Sequence, residues 1–199
     1  MNLASVLHDL VCAEARLSPT GGHELHLKET DPSATLKKVI VDLRKDDLVS
    51  CIALDFRLTG RSARPSCLSD VLNPESIYPL RAACDALLCI EKDNVCHLIH
   101  IELKSGDDKR AIGQLRNARC FTRFLRELAL EWHSVTPPDC REWFVLLTSG
   151  PKAAARKRKT PITSQARPPM ERASQNPSKP ATFSIVDGGR IHVGKFFNG

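Results

Sequence analysis

Two runs of alternating apolar residues, joined by a short polar turn, constrain the fold of this chain more than any other feature. Each run has the length of a strand, and Asp93-Asn94 between them is typical of a two-residue turn. The alternating positions are Ala86, Leu88, Ile90, Ile99, Ile101 and Leu103. Since successive side chains of a strand point to opposite faces, this pattern predicts a β-hairpin with one buried face.

Polar residues of the same hairpin are predicted to meet on its other face. With the turn centred on Asp93-Asn94, Asp85 lies directly opposite Glu102. Lys104 follows Glu102 by two residues and therefore points to the same face. Two carboxylates and one amine converge on the side away from the apolar positions.

Two facing carboxylates repel each other, so this arrangement needs a compensating charge. Mg²⁺ or Mn²⁺ fits, because such ions are bound by carboxylate and carbonyl oxygens. Asp85, Glu102 and the Leu103 carbonyl are the predicted ligands, and Lys104 would hold an attacking hydroxide or neutralise charge on a phosphodiester. The competing interpretation is a solvated ion pair of Glu102 with Lys104, which leaves Asp85 unpaired.

The flanking segments predict a mixed α/β chain. Apolar spacing indicates a first helix over residues 2–16 and a second over 34–48, followed by a strand over 49–58. Residues 105–108 have the composition of a helix start, and the helix of about six turns that follows ends before Pro137-Pro138. Its predicted buried stripe consists of Ile112, Leu115, Ala118, Phe121, Leu125, Leu128 and Trp132.

The C-terminal part of the chain begins with a continuous apolar run over residues 142–149, which predicts a buried strand. Residues 150–180 are rich in proline and carry eight basic residues against one acidic residue. They are predicted to form a flexible loop. Beyond them, residues 182–186 and 190–197 flank Asp187-Gly188-Gly189, and this pattern predicts a second hairpin.

Asp85 and the Glu102-Leu103-Lys104 triplet, followed by a helix and a strand, resemble the PD-(D/E)xK nuclease superfamily. The resemblance covers residues 80–150 and implies a restriction-endonuclease-like αβββαβ core, with a central mixed sheet flanked by helices. It implies that Asp85 and Glu102 bind metal and that Lys104 is catalytic. Gln114 resembles a glutamine that some branches place near the active site.

Membership of this superfamily implies metal-dependent hydrolysis of phosphodiester bonds, with DNA as the default substrate. The chain departs from the motif at Cys84, which stands in place of proline, and it lacks the tyrosine that accompanies the glutamine in those branches. Many members add an acidic residue from the first helix, for which Glu14 is the candidate. Lys104→Ala is then expected to leave folding intact and to abolish cleavage.

The same resemblance divides the chain into a nuclease-like core over residues 1–149, a basic loop over 150–180 and a C-terminal hairpin over 181–199 that packs on the core. Nucleic-acid contacts are predicted for two basic groups. The first is on the long helix and consists of Arg116, Arg119, Arg123 and Arg126. The second is the RKRK run of Arg156, Lys157, Arg158 and Lys159.

Three other functions remain open from the sequence. The chain could be a catalytically inactive nucleic-acid-binding or assembly module of the same fold, or a scaffold whose basic loop binds an acidic partner protein. The RKRK run also resembles a nuclear localisation signal. For an active nuclease, specificity would come from residues 17–80, the basic loop, a homodimer or a partner protein, since no recognition domain is visible.

The cysteines are predicted to be reduced thiols rather than disulfides. Eight cysteines occur without any CxxC pair, and the N-terminal residues do not resemble a secretory signal, so free and mostly buried thiols are expected. The expected location is the cytoplasm, or the nucleus in a eukaryotic host.

No apolar run approaches the roughly 20 residues that span a bilayer, so no membrane is expected. His23, His26 and His100 are predicted to be polar surface residues.

Overall fold

The computed structural model describes residues 2–29, 32–44, 48–54, 83–105, 109–133, 139–149 and 174–197. Its helices are α1 (Leu3–Leu10) and α2 (Lys109–His133). Its strands are β1 (Arg16–Leu17), β2 (Glu24–Lys28), β3 (Lys38–Asp42), β4 (Leu48–Ala53), β5 (Ala86–Lys92), β6 (Val95–Lys104), β7 (Asp139–Ser149), β8 (Ala181–Ile185) and β9 (Arg190–His192). Short 3₁₀ turns occur at Ala13–Ala15 and Val193–Phe196. The prediction of a mixed α/β chain is confirmed.

Two sheets form the framework of the fold. The larger is a mixed six-stranded sheet with the order β1-β4-β5-β6-β7-β8, and the smaller has the order β2-β3-β9. β4, β5 and β6 are antiparallel neighbours, whereas β7 is parallel to β6 and β8 is parallel to β7. The connection through α2 explains the parallel pairing of β6 with β7, because parallel strands need a long crossover.

The central hairpin of β5 and β6 has the predicted register. Its pairs begin with Ala86 opposite Ile101 and continue to the turn. The turn residues Asp93 and Asn94 have φ angles of 49° and 59°. Positive φ at both positions belongs to the type I′ turn, whose twist matches that of the flanking strands. Asp85 directly precedes the first pair, as the register prediction requires.

Both faces of this hairpin are buried, so the prediction of one buried face is wrong. Leu87 and Leu98 pack under α1 and α2 on one face, while Leu88 and Ile101 pack with the smaller sheet on the other. Alternation was misleading because the intervening residues, such as Cys89, are also apolar. Within the described ranges, the helices cover one face of the large sheet rather than both.

The helix predicted over residues 34–48 is also wrong, because this segment contains β3. Val39 and Val41 are buried and lie in register with Leu27 and Leu25 of β2. β-branched side chains at alternating positions favour a strand. Their burial between the two sheets outweighs the helical spacing of the surrounding apolar residues.

The other N-terminal elements agree in type with the predictions but differ in extent. α1 ends at Leu10 rather than at residue 16, and a 3₁₀ turn follows it. β4 occupies the first part of the strand predicted over residues 49–58, and residues 55–58 lie outside the described ranges. Gly21 and Gly22 do not end the helix but form the turn before β2, with φ angles of 60° and 78°.

The long helix α2 has part of the predicted buried stripe, since Ile112, Phe121 and Leu128 are only partly buried. Leu115, Ala118 and Leu125 are buried, and Ala129 continues the stripe near the end of the helix. Trp132 is an exception to the prediction, because it lies at the flank of this stripe and is 75% exposed. Among the described residues, no helix combines the length and the apolar character that crossing a bilayer requires.

The two C-terminal strands do not pair with each other, so the predicted second hairpin is wrong. β8 is parallel to β7 in the large sheet, whereas β9 is parallel to β3 in the small sheet. The turn between them forms where predicted, with Gly188 at a φ of 72°. Asp187 Oδ1 accepts hydrogen bonds from the backbone amides of Lys37 and Lys38, at 2.7 and 2.8 Å. These bonds attach the turn to the start of β3 and direct the chain into the small sheet.

All cysteines in the described part of the chain are free thiols. The buried ones are Cys51, Cys84, Cys89 and Cys96, which agrees with the sequence prediction. Cys12 and Cys120 are exposed, and Cys140 is partly exposed. Burial raises the pKa of the Cys51 thiol to about 12.

We expect Cys12 and Cys120 of the native protein to be alkylated more than about 100-fold faster than Cys51 and Cys84, because only thiolates react and burial disfavours them. Mass-mapped iodoacetamide labelling against time measures the rates. Denatured protein is the control, in which all rates should converge. Equal rates in the native protein would contradict the burial of β4 and of the chain entering β5.

Candidate active site

Asp85 and Glu102 lie at the same end of the large sheet. Asp85 Oδ2 accepts a hydrogen bond from the backbone amide of Leu103 at 2.5 Å. Glu102 is wholly buried in β6, and alternation along the strand places it on the face that carries Leu98. Alternation from Leu87 places Asp85 on that same face. The two predicted metal ligands are therefore brought together as the register prediction requires.

Lys104 is the charge partner of Glu102. Its Nζ contacts Oε1 of Glu102, and its side chain is 20% exposed, so it connects a buried carboxylate with the surface. Burial by itself lowers the pKa of the Lys104 ammonium, but the charges of Glu102, Asp85 and Glu29 outweigh this effect and raise that pKa above its usual value. Lys104 is therefore positively charged at neutral pH.

The described charges that act on Lys104 are those of three carboxylates, Glu102, Asp85 and Glu29. Glu102 is wholly buried. A buried carboxylate is costly unless it is paired, so its position favours a cation beside it. Within the described ranges, no three His, Cys, Asp or Glu residues form a complete metal cage. The donors instead suit a hard divalent ion that keeps several waters and takes one or two protein carboxylates.

Gln114 is hydrogen-bonded to the segment that carries Asp85. It lies in the second turn of α2, and its Nε2 donates a hydrogen bond to the carbonyl of Ala83 at 3.1 Å. Ala83 precedes Asp85 by two residues. Gln114 thus fixes the segment that leads into Asp85, and its role at the site stays a prediction.

His100 is not the polar surface residue that the sequence predicts, since α2 covers its face of the sheet. The side chain is wholly buried and stacks on Phe144, with ring centroids 4.8 Å apart and an angle of 8° between the planes. Burial lowers the pKa of His100 to about 3, and the charge of Arg119 acts in the same direction. His100 is therefore neutral at physiological pH and supplies no counter-charge to Glu102.

Two of the arginines predicted to bind phosphate pair with Glu142 of β7. Arg119 Nε lies 2.6 Å from Oε2 of Glu142, and the guanidinium lies over the Phe144 ring, 5.8 Å from its centroid. Arg123 Nε lies 3.7 Å from Oε1 of the same carboxylate. Glu142 therefore offsets one of the two positive charges of these arginines, and their contact with phosphate stays a prediction.

Arg116 is exposed on α2, and its Nη2 donates a hydrogen bond to Ser178 Oγ at 2.7 Å. Ser178 lies near the end of the predicted basic loop, and this end of the loop is attached to β7 because Phe144 N donates to Ser174 O at 2.8 Å. The predicted contacts of the RKRK run lie outside the described ranges. They are Arg156, Lys157, Arg158 and Lys159.

The suggestion that Glu14 adds a ligand from the first helix stays a prediction. Glu14 lies exposed on the 3₁₀ turn after α1, and the carboxylates whose charges act on Lys104 are those of Glu102, Asp85 and Glu29. Glu29 directly follows β2 in the small sheet. No local pattern marks Glu29, because its position results from the packing of one sheet on the other.

Comparisons of this chain with protein-family models, curated proteins and solved structures find no match. The candidate site is therefore defined by the arrangement of its charged side chains. Asp85, Glu102 and Lys104 meet where β6 ends, beside the carboxyl end of the parallel strand β7. The carboxyl ends of parallel strands are common ligand sites in α/β sheets.

Proposed function

We propose that this protein is a metal-dependent nuclease that hydrolyses phosphodiester bonds, with DNA as the default substrate and Mg²⁺ or Mn²⁺ as the ion. The observation that carries the proposal is the meeting of Asp85 and Glu102 with Lys104 as the adjoining cation. The order α1, β4, β5, β6, α2, β7 supports it, since it follows the αβββαβ order of the PD-(D/E)xK superfamily that the motif resembles.

Asp85, Glu102 and the Leu103 carbonyl would hold the ion. They fit it because they are hard oxygen donors and one of the two carboxylates is fully buried. Such an ion, when bound, supplies a Lewis acid for the phosphate and a hydroxide near neutral pH. The Leu103 amide already orients the Asp85 carboxylate through the hydrogen bond to Oδ2.

Lys104 supplies the positive charge that the reaction needs at the phosphate. Its ammonium is charged, partly exposed and close to both proposed ligands. It can donate a hydrogen bond to the attacking water or to a phosphate oxygen that becomes more negative in the transition state. Gln114 positions the entry to Asp85 through Ala83, and neutral His100 contributes an apolar stack beneath the site.

The basic groups support a polyanionic partner. Arg116 is exposed on α2, and the RKRK run at residues 156–159 begins seven residues after Ser149, the last residue of β7. Ser149 Oγ donates to the carbonyl of Ser105 at 3.3 Å, directly beyond Lys104. The run is therefore linked by a short stretch of sequence to the proposed catalytic end of the sheet. Contacts with phosphates predict that binding weakens as salt rises.

Purified protein incubated with supercoiled plasmid and Mg²⁺ tests the proposal, with a chelator as the blank. We expect nicked or linear products only when the divalent ion is present. The catalytically inactive module remains a second candidate, because Lys104 already occupies an oxygen of the buried Glu102. Salt-sensitive DNA binding without cleavage in Mg²⁺ or Mn²⁺ would favour it, and the absence of both activities would contradict the nuclease.

The structure changes the result expected for the folding of the Lys104→Ala variant. Sequence alone predicts that this variant folds normally, but Glu102 is wholly buried and contacts the Lys104 ammonium. Removing one member of a buried pair costs about 3–5 kcal/mol, because the other charge is left without compensation. Loss of cleavage in Lys104→Ala would therefore mix a catalytic effect with a folding effect. Asp85→Asn separates the two, as developed in the Discussion.

A further inference from the structure

Large apolar side chains are exposed along one side of α2. Of the four that are exposed in the described part of the chain, three belong to this helix, namely Phe124, Leu130 and Trp132. Helical spacing aligns Phe124 and Trp132 with the partly buried Phe121 and Leu128, and the rings of Phe121 and Phe124 lie 6.4 Å apart between centroids. We call Phe121, Phe124, Leu128 and Trp132 the apolar row. Contiguous exposed apolar surface marks an interaction site rather than a face that contacts only water.

An apolar groove adjoins this row. Its volume is about 170 Å³, and Phe121 of the row forms part of its wall. Leu125 of α2 also lines it, together with residues from the end of α1 and the end of β4, among them Leu10, Val11, Ile52 and Leu54. A cavity of about 150 Å³ with apolar walls accepts an aromatic ring. The row and the groove therefore present a ridge and a concave surface side by side.

The charges of α2 are arranged against the helix dipole. Its two acidic residues, Glu127 and Glu131, lie in the last two turns, whereas the exposed Arg116 and Arg123 lie nearer its start. The dipole favours the opposite order, with acidic residues at the start of a helix and basic residues at its end. Glu127 and Glu131 are exposed, and neither forms an ion pair within the described ranges. Contacts described within one chain therefore do not explain this charge pattern.

We propose that the apolar row and the adjoining groove form the interface of a homodimer, in which the α2 helices of two copies pack antiparallel. Leu128 lies midway between Phe124 and Trp132 in the sequence, so a twofold axis at Leu128 places Phe124 of each copy against Trp132 of the other. The same axis brings Trp132 of one copy near the groove of the other, because Phe121 and Leu125 line that groove. Dimer formation depends on neither metal binding nor cleavage.

Charge complementarity selects a second copy as the occupant and the antiparallel orientation. Antiparallel packing brings Arg123 of each helix to the acidic part of the other, with Glu127 and Glu131. Arg123 is 56% exposed although it contacts Glu142, so its guanidinium can meet a second acid. Parallel packing would place like charges opposite each other. A nucleic acid fits this surface less well, because the acids beside the row repel phosphates.

Sedimentation equilibrium of the full chain tests the interface. We expect the wild type to be a concentration-dependent dimer and Trp132→Ala to weaken association by more than about 30-fold, the loss that defines an interface hot spot. Trp132 is 75% exposed in the single chain, so its truncation should leave folding unchanged, which circular dichroism verifies. Val186→Ala is the matched control, because Val186 is 74% exposed but lies in the turn between β8 and β9. It should dimerise like the wild type.

Tryptophan fluorescence gives a second measurement, since the chain has two tryptophans. We expect dilution of the wild type to shift its emission to longer wavelength, because Trp132 returns to water as the dimer dissociates. Trp132→Ala keeps only Trp143 and should show no shift. A wild type that stays monomeric at every concentration would overturn the homodimer in favour of a different partner. Equal association of Trp132→Ala and the wild type would overturn the assignment of the surface.

Glu131→Lys tests the orientation of the two helices. In the antiparallel dimer this change replaces an attraction to Arg123 with a repulsion, so we expect association to weaken by about fivefold at low salt and the effect to fade as salt rises. In a parallel dimer the two copies of Glu131 would face each other, and reversing both charges would leave the repulsion unchanged. Unchanged association of Glu131→Lys at low salt would therefore refute the antiparallel arrangement.

Discussion

Asp85→Asn is expected to reduce Mg²⁺-dependent plasmid cleavage by more than about 100-fold, since even the partners of metal ligands are worth 10- to 100-fold. The amide oxygen of asparagine can still accept the hydrogen bond that Leu103 N donates to Oδ2, so the end of the hairpin keeps its geometry. The substitution removes one of the two negative charges that would hold the ion. Initial rates of plasmid nicking, with thermal unfolding measured in parallel, provide the test.

Asp187→Asn is the matched control for this variant. Asp187 also accepts backbone hydrogen bonds through its carboxylate, from Lys37 and Lys38, but it lies in the turn between β8 and β9. We expect the control to cleave at the wild-type rate. If Asp85→Asn cleaved as fast as the control, Asp85 would only orient the backbone of Leu103, and the proposed metal site would be lost.

Phe196→Ala is expected to lower the free energy of unfolding by about 3–5 kcal/mol. Phe196 lies in the 3₁₀ turn after β9 and is wholly buried between the two sheets. Its ring lies 5.7 Å from that of Phe183 in β8, measured between centroids. Truncation removes apolar burial and leaves a cavity lined by residues of both sheets. Urea denaturation followed by circular dichroism measures the change.

Val186→Ala is the control for the core variant, because Val186 is 74% exposed in the same C-terminal part of the chain. Its effect should stay within about 0.5 kcal/mol. A loss below about 1 kcal/mol for Phe196→Ala would contradict the position of the C-terminal residues in the core. The result bears on the site as well, since β9 pairs with β3, whose connecting loop from β2 begins with Glu29.

The sequence predicts the central hairpin well because the signals for it are local. Asp93 and Asn94 are residues that tolerate positive φ, and they determine the register within a few positions of the chain. Once that register is known, Asp85 and Glu102 are opposite each other by counting alone. The prediction for Gln114 came instead from the resemblance to the nuclease superfamily, and the structure places this residue on the helix after β6, with a hydrogen bond to the Ala83 carbonyl.

Predictions failed where two segments distant in the chain share one environment. Residues 34–48 have helical spacing, but β3 finds strand partners in β2 and β9. His100 was interpreted as a surface residue because nothing near it in the sequence shows that α2 covers it. The pairing of Arg119 with Glu142 was not predicted either, because Glu142 is 23 residues away.

The sequence by itself determined the hairpin, its register, the long helix and the buried strand after it. It also determined the order of Asp85, Glu102 and Lys104 along the chain. Only the tertiary structure decided which of these groups lost contact with water and which acids share one ammonium. The small sheet packs against one face of β5 and β6, and the helices on the other face cover Glu102. The physical reason is that alternation and turn geometry act between neighbours in sequence, whereas desolvation and charge pairing depend on all the atoms that meet in space.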